Sequence, residues 1–473
     1  MLWTISERLS LQAVQLLVSI VLARLLEPYE FGLISMLAIF TAVAQSLLDS
    51  GFGSALIQKK EADQIDASSI FFFNLIVGVI LAVTLLLGAP YIAKFFGQPI
   101  LVPITRVLSL SLIFNAFSMV QISMLTKTMN FRDQMKVNLF ATIASGVIGI
   151  AMAYLGFGVW ALVIHFVSRS IFQAVLLWLF TTWRPSFILS LASLKSMFSY
   201  GSRLLASGLI DTFFRNIYQA FIGWVFSASD LGFYSKALQF ENAATQTTSN
   251  ALGMVLFPAM SSVQDQHETL KKGYRKSIKL SVFLHFHLMI ALWAIADPLL
   301  RFLLTDKWAP SIPFFRILCI IGLFYPLHIL NLNILKVKGR SDLFLRLEII
   351  KKAVVIIAIA ISYRWGIMGL LYGRLATTLI AYFLNSYYSG HLIGYSQWDQ
   401  IRDLIPAFFS AVVMGTVMYF VGWVIIESNF LMIVLQTTTG FFVFYSASLL
   451  LSYSELQEVR HIIAGALRQI RRI

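Results

Sequence analysis

Residues 197–226 carry a polar ladder in an apolar setting: Arg203, Ser207, Asp211, Arg215 and Gln219 recur at every fourth position. That spacing keeps all five on one face of a helix and sets Asp211 and Arg215 at ion-pair distance. Residues 158–181 repeat the arrangement with His165, Arg169 and Gln173, residues 104–125 offer Ser111, Asn115 and Ser118, and residues 366–389 contain Arg374. A charged side chain at membrane depth costs about 2.5–3.5 kcal/mol on insertion scales, so it needs a partner or a task. A structural salt bridge is an equal reading for Asp211 and Arg215 alone. The whole set predicts a hydrated cavity, and its basic excess suits an anionic ligand because guanidinium forks match phosphate oxygens.

A second polar face raises the same question. The stretch KALQFENAATQTTSN, residues 236–250, is either a water-exposed loop or a helix that turns polar groups toward protein. An internal repeat favours the helix. EFGLIS at 30–35 aligns with DLGFYS at 230–235, an offset that also pairs Gly53 with Gly253 and Leu56 with Leu256. PITRVLSL at 103–110 aligns with PFFRILCI at 313–320, and GFGVWAL at 156–162 with RWGIMGL at 364–370. Residues 236–250 therefore fall opposite the apolar stretch 36–50. Glu241, Thr245 and Ser249 mirror Thr41, Gln45 and Asp49, each set spaced by four. Asp211, Glu241 and Asp49 are the alternative candidates for a carboxylate that couples the protein to an ion gradient.

Other chemistry is not supported. His285 and His287, two apart, point to different helix faces with no carboxylate beside them, so no metal site is expected. There is no phosphate-binding GxxxxGK[ST] loop, no HExxH, no Cys-rich spacing and no nucleophile triad, so neither an ATPase, another enzyme nor a cofactor is expected. The single Cys319 excludes an intrachain disulfide.

These residues must be held by membrane helices. The chain is 58% hydrophobic and 12% charged, about half the charge of a soluble domain, with a mean hydropathy of +0.80. Runs of spanning length, about 20 residues, predict fourteen helices near 9–26, 31–49, 68–89, 104–125, 137–156, 158–181, 197–226, 232–258, 277–304, 311–335, 342–362, 366–389, 404–426 and 429–451. No cleavage site follows the first run, which is expected to remain as the first span. The fold class is all-α: a polytopic membrane protein of two homologous six-helix lobes around a central cavity, plus two extra C-terminal helices. The lobes are residues 1–182 and 197–390, with a cytoplasmic linker at 183–196, two further helices in 391–451 and a tail at 452–473.

Charge orients the array. Lys59, Lys60, Lys127, Arg132, Lys136, Arg184, Lys195, Lys271, Lys272, Arg275, Lys276, Lys336, Lys338, Arg340 and Arg402 fall on one side with the C-terminal arginines. Arg24, Lys94, Arg301, Lys307 and Arg364 fall on the other. The positive-inside rule then places both termini in the cytoplasm. The net charge of +14 is mostly this bias, so nucleic acid is not an expected partner. In the tail, Leu456, Val459, Ile463, Leu467 and Ile470 form an apolar stripe with Arg460, Arg468, Arg471 and Arg472 off it. It reads as an interfacial helix on anionic lipid or as a frayed basic end.

The strings LARLLEPYEFGLISM (22–36), DSGFGSALIQKK (49–60), LGFGVWALV (155–163), LFPAMSSVQ (256–264), FYPLHILNLNILKVKGRSDLFLRLEIIKK (324–352) and NSYYSGHLIGY (385–395) carry a family resemblance. The chain resembles the Wzx-type polysaccharide flippases of the multidrug/oligosaccharidyl-lipid/polysaccharide exporter superfamily, in the branch with colanic acid and teichuronic acid exporters. The resemblance implies a bacterial inner-membrane transporter that turns undecaprenyl-pyrophosphate-linked oligosaccharide to the outer leaflet by alternating access. It implies membrane lipid as a partner, with a polysaccharide polymerase and export machinery downstream. By the related lipid II flippase, the last two spans would hold the lipid tail. On this reading Arg169, Arg203, Arg215 and Arg374 meet the pyrophosphate and acidic sugars, and Gln45, Gln173, Gln246 and Asn74 bond sugar hydroxyls. Two rivals stand beside it. A multidrug cation antiporter of the same superfamily would favour an acidic cavity. A membrane polymerase or glycosyltransferase would carry acidic catalytic motifs and a large outer loop.

Overall fold

The computed structural model describes residues 2–49, 51–59, 61–424 and 426–450. Helices are the only regular secondary structure among them. A backbone in hydrocarbon has no water to bond, so each segment must satisfy its own N–H and C=O groups. The chain forms two compact units, Met1–Ser235 and Lys236–Ile473.

The first unit contains α1 (Leu2–Leu25), α2 (Pro28–Asp49), α3 (Phe52–Gln58), α4 (Gln64–Phe96), α5 (Leu101–Lys127), α6 (Phe131–Tyr154), α7 (Val159–Phe180) and α8 (Leu191–Val225). Side chains start these helices where the sequence supplies them. Asp63 and Asp66 form a reciprocal capping box at α4, Asn130 caps α6 and Ser190 caps α8. α4 packs on α5, α6 on α7, and α2 on α8. Small residues permit the close approaches: a Cβ at Gly78 would lie 2.9 Å from Ala116 Cβ. At the end of α4 that carries Asp66, that carboxylate bonds Lys59 Nζ at 2.5 Å, and Lys127 Nζ donates to the Lys59 carbonyl at 2.6 Å.

α9 (Ala228–Ser261) is one continuous helix, so residues 236–250 are not a loop. Its first turn carries the clearest physical trace of the repeat. A side chain at Gly32 would run into the Ala228 carbonyl, and one at Gly232 into the Pro28 carbonyl. The contact is reciprocal at the repeat's own offset, and only glycine leaves room for it.

The second unit continues with α10 (His267–Ala294), α11 (Ala296–Leu304), α12 (Ser311–Gly322), α13 (Tyr325–Val337), α14 (Ser341–Ser362), α15 (Gly366–Ile393), α16 (Gln397–Val421) and α17 (Asn429–Leu450). α10 packs on α16, α14 on α15, and α16 on α17. Asp403 of α16 is clamped to α10: its carboxylate takes Arg275 Nη2 at 2.7 Å and Lys279 Nζ at 3.3 Å, and Tyr395 O–H donates to it at 2.7 Å.

Three boundaries differ from the sequence expectation. The span expected at 311–335 is two helices, α12 and α13, which meet just before Pro326; the proline lacks the N–H a continuous helix needs there. The span expected at 277–304 starts earlier, at His267, and breaks after Ala294. Residues 191–196, expected within a linker, are already helical because Ser190 caps them. Ten segments among the described residues are long and apolar enough to cross a membrane, one of which, Ser341–Ile393, holds both α14 and α15. α8 and α9, of 35 and 34 residues, fall outside that set, and Ser10–Leu25 of α1 is a shorter apolar helix. The expected tail helix lies outside the described residues.

Candidate substrate cavity

Three helices of the first unit turn their polar positions toward one cavity of about 630 Å³. α2 contributes Thr41, Gln45 and Asp49, α5 contributes Ser111, Asn115 and Ser118, and α7 contributes Arg169, Ser170 and Gln173. Spacings of three and four bring each set to one face, which is why the periodicity was sufficient to group them. α8 adds Asn216, and apolar Leu37, Met119 and Phe166 fill the remaining wall.

The polar groups form a relay. Asn115 Nδ2 donates to Gln45 Oε1 at 2.8 Å, and Gln45 Nε2 donates to Asp49 Oδ1 at 3.0 Å. Gln173 Nε2 donates to Asn138 Oδ1 of α6 at 3.0 Å. Thr41, Ser111 and Ser118 return their hydroxyls to carbonyls of their own helices. Amide dipoles are thus fixed, while hydroxyl oxygens keep lone pairs for a ligand. Arg169 stands apart. It is half-buried on the cavity wall, and no hydrogen bond or ion pair to it occurs among the described residues. A guanidinium so placed has five donors to offer an oxyanion.

The other expected site residues are placed elsewhere. His165 packs toward α6, where a Cβ at Gly149 would lie 2.9 Å from its own Cβ. Asn74 is fully buried between α4 and α5 and donates to Met119 Sδ at 3.2 Å. Asp211 and Arg215 form an i,i+4 pair at 2.5 Å, exposed at 54% and 75%, off the cavity wall. Glu241 is buried in the second unit. Its Oε1 accepts from Thr245 Oγ1 at 2.7 Å and sits over Gly322, whose missing side chain makes room for it. Arg374 is near enough to act on it electrostatically. The side chains of Arg203 and Gln246 lie outside the described residues.

His285 and His287 are structural. His285 Nε2 bonds the Gly322 carbonyl at 3.0 Å, and His287 bridges the Phe283 carbonyl and Ser410 Oγ. No cluster suited to a metal ion occurs among the described residues. Asn138 and Asn216 were not among the expected site residues, nor was Glu348 of α14, which takes Lys351 at 2.5 Å and Lys352 at 3.8 Å. The signal for the last was present: EIIKK at 348–352 places both lysines one helical turn from the glutamate.

Comparison with known proteins agrees with this architecture. A family model described as polysaccharide biosynthesis protein matches residues 21–313. The chain belongs to that family. Among family-type relatives, the teichuronic acid biosynthesis protein TuaB of Bacillus subtilis (strain 168) is 28% identical over 347 residues, 72% of this chain and 71% of that one. The lipopolysaccharide biosynthesis protein WzxC of Escherichia coli (strain K12) is 22% identical over 411 residues, covering 84% and 83%. Among solved structures, the lipid II flippase MurJ in an inward closed conformation aligns at a TM-score of 0.76 with 12% identity, covering 94% of this chain and 98% of that one. An inward-facing multidrug transporter of the MATE family aligns at 0.63 with 16% identity, covering 80% and 95%. These two likenesses establish the fold.

Proposed function

We propose that this protein flips undecaprenyl-pyrophosphate-linked oligosaccharide repeat units from the inner to the outer leaflet of a bacterial cytoplasmic membrane, by alternating access, for polysaccharide synthesis. The observation that carries the reading is the cavity wall of the first unit, where an unpartnered Arg169 stands beside fixed amides. Arg169 would receive the pyrophosphate. Gln45, Asn115 and Gln173 would bond sugar hydroxyls, each already oriented by a neighbour. Membership of a polysaccharide biosynthesis family and names such as WzxC and TuaB among its relatives support a lipid-linked saccharide as cargo.

The topology belongs to the same proposal. Fourteen spans result when α1, α8 and α9 are added to the ten apolar segments and α14 and α15 are counted separately. Both termini are cytoplasmic, and the repeat defines lobes at 1–182 and 197–390. Arg203, Arg215 and Arg374 are further anion contacts, and Asp49, Asp211 or Glu241 couple the cycle to an ion gradient. A polymerase would take the product on the outer face.

One observation favours a second reading. Asp49 puts a carboxylate on the cavity wall, and the MATE fold hosts multidrug transport, so an organic cation is the alternative cargo. The deciding experiment is expression in a flippase-null strain that accumulates lipid-linked oligosaccharide on its inner leaflet. Restored polysaccharide at the surface, with the inner pool cleared, supports the proposal. No rescue, with dye or cation export instead, would overturn it.

A further inference from the structure

Arg316 is the arginine of the PFFRILCI repeat string, and the cavity does not use it. It lies on α12, half-buried, with its Nε buried and without a hydrogen-bond partner. Its Cζ is 5.5 Å from the Trp293 ring centre and 5.4 Å from that of Tyr419, and the two ring centres are 5.4 Å apart. The three groups, from α12, α10 and α16, therefore form a nearly equilateral triangle. Cation–π attraction from two rings explains how a guanidinium is held there without a carboxylate.

No carboxylate pairs with Arg316 among the described residues. The Arg316 guanidinium, the Trp293 indole N–H and the Tyr419 O–H are all donors, and none is hydrogen-bonded to any described residue. The neighbouring arginine is arranged differently: Arg301 is taken up by Asp297 at 3.1 Å and Asp306 at 2.5 Å. Donors carried by three touching groups, with Arg316 Nε buried and unsatisfied, suit a ligand that accepts. Trp293 and Arg275 lie 18 positions apart on α10, about 27 Å at 1.5 Å per residue, so the triangle is at the far end of the unit from the Asp403 clamp.

We propose that Arg316, Trp293 and Tyr419 form a binding site for a phosphoryl oxyanion of a lipid, at the end of the second unit opposite the Asp403 clamp. In the orientation proposed above, which this placement rests on, that end faces the outer leaflet. The oxyanion belongs to a bilayer phospholipid or to the pyrophosphate of the cargo. Arg316 supplies a charge-assisted bond, and the indole and phenol supply one neutral bond each.

The test uses the purified full-length protein in neutral detergent and needs no transport, so its outcome is separate from that of the rescue experiment. Binding of dioctanoyl phosphatidylglycerol, farnesyl pyrophosphate and inorganic pyrophosphate is measured by native mass spectrometry. Arg316→Ala is expected to weaken at least one of them about tenfold or more, with partial recovery in Arg316→Lys. Trp293→Phe and Tyr419→Phe keep the rings and remove one donor each, and are expected to weaken it about fivefold. Loss for the phospholipid identifies a bilayer lipid site, and loss for farnesyl pyrophosphate alone identifies the cargo. Equal losses for all three identify the oxyanion by itself; each of these outcomes supports the site. Affinities for all three that are unchanged in Arg316→Ala would overturn it, as would a lower melting temperature with affinity intact, which marks a purely structural cation–π contact.

Discussion

Arg169 has no acid partner among the described residues, and this separates it from Arg215 and Arg301, which have one. Arg169→Ala is expected to leave the amount and melting temperature of the protein unchanged, because no buried carboxylate is stranded. Export should fall, since a lost charge-assisted contact of about 1.5–3 kcal/mol weakens substrate binding about tenfold to a hundredfold. Arg169→Lys keeps the charge without the fork and should recover part of it. Surface polysaccharide and immunoblots of the same cells check both. Arg215→Ala behaves differently: the Asp211 pair is exposed, so the change in stability should stay within about 1 kcal/mol. Glu241→Gln makes the contrast. The amide can still accept from Thr245, but the electrostatic attraction between Glu241 and Arg374 is lost, so the melting temperature should drop. An unchanged melting temperature together with lost ion dependence of export would favour the coupling role of Glu241 over a structural one.

Helix faces were legible where spacing alone decides them. Thr41, Gln45 and Asp49 reach one cavity with Arg169 and Gln173 because a step of four turns them the same way. Glu241 has the same spacing and a different fate, since which neighbour a face meets depends on packing that periodicity does not encode. Here the neighbour is α12, and the gap is Gly322. The break between α12 and α13 was signalled by Pro326 but hidden by an unbroken apolar run. α2 itself has two working faces. Opposite its polar positions, Phe40, Val43 and Leu47 wall an apolar cavity of about 530 Å³ against α4 and α8. The repeat glycines give the sharpest element-scale prediction. Gly32→Ala and Gly232→Ala each drive a methyl into a carbonyl, at a cost of about 1–3 kcal/mol, and both should lower the yield of folded protein. Gly88→Ala, where nothing lies within 4 Å of the added methyl, is the control and should be neutral.

The whole molecule was legible in class because composition and run length identify a helical membrane protein without any tertiary information. The number of spans was harder, since the sequences of α8 and α9 are rich in polar residues for helices of spanning length. Orientation is tested directly by single cysteines, against a native Cys319 that is buried and silent. Arg364→Cys should react with an impermeant thiol reagent added outside cells, and Asp265→Cys and Arg340→Cys should react only after the membrane is opened; all three positions are exposed. Labelling of position 265 from outside would break the span assignment around α9. The flippase assignment itself is tested most directly by a leaflet-resolved assay. Purified protein is placed in liposomes carrying undecaprenyl-pyrophosphate-linked oligosaccharide, and the fraction open to an external glycosidase is followed in time. The native protein is expected to expose the inner pool, and Arg169→Ala, present in equal amount, to do so many times more slowly; an inner pool that stays closed with the native protein, or opens equally fast with the variant, would overturn the flippase assignment or the role of Arg169 respectively.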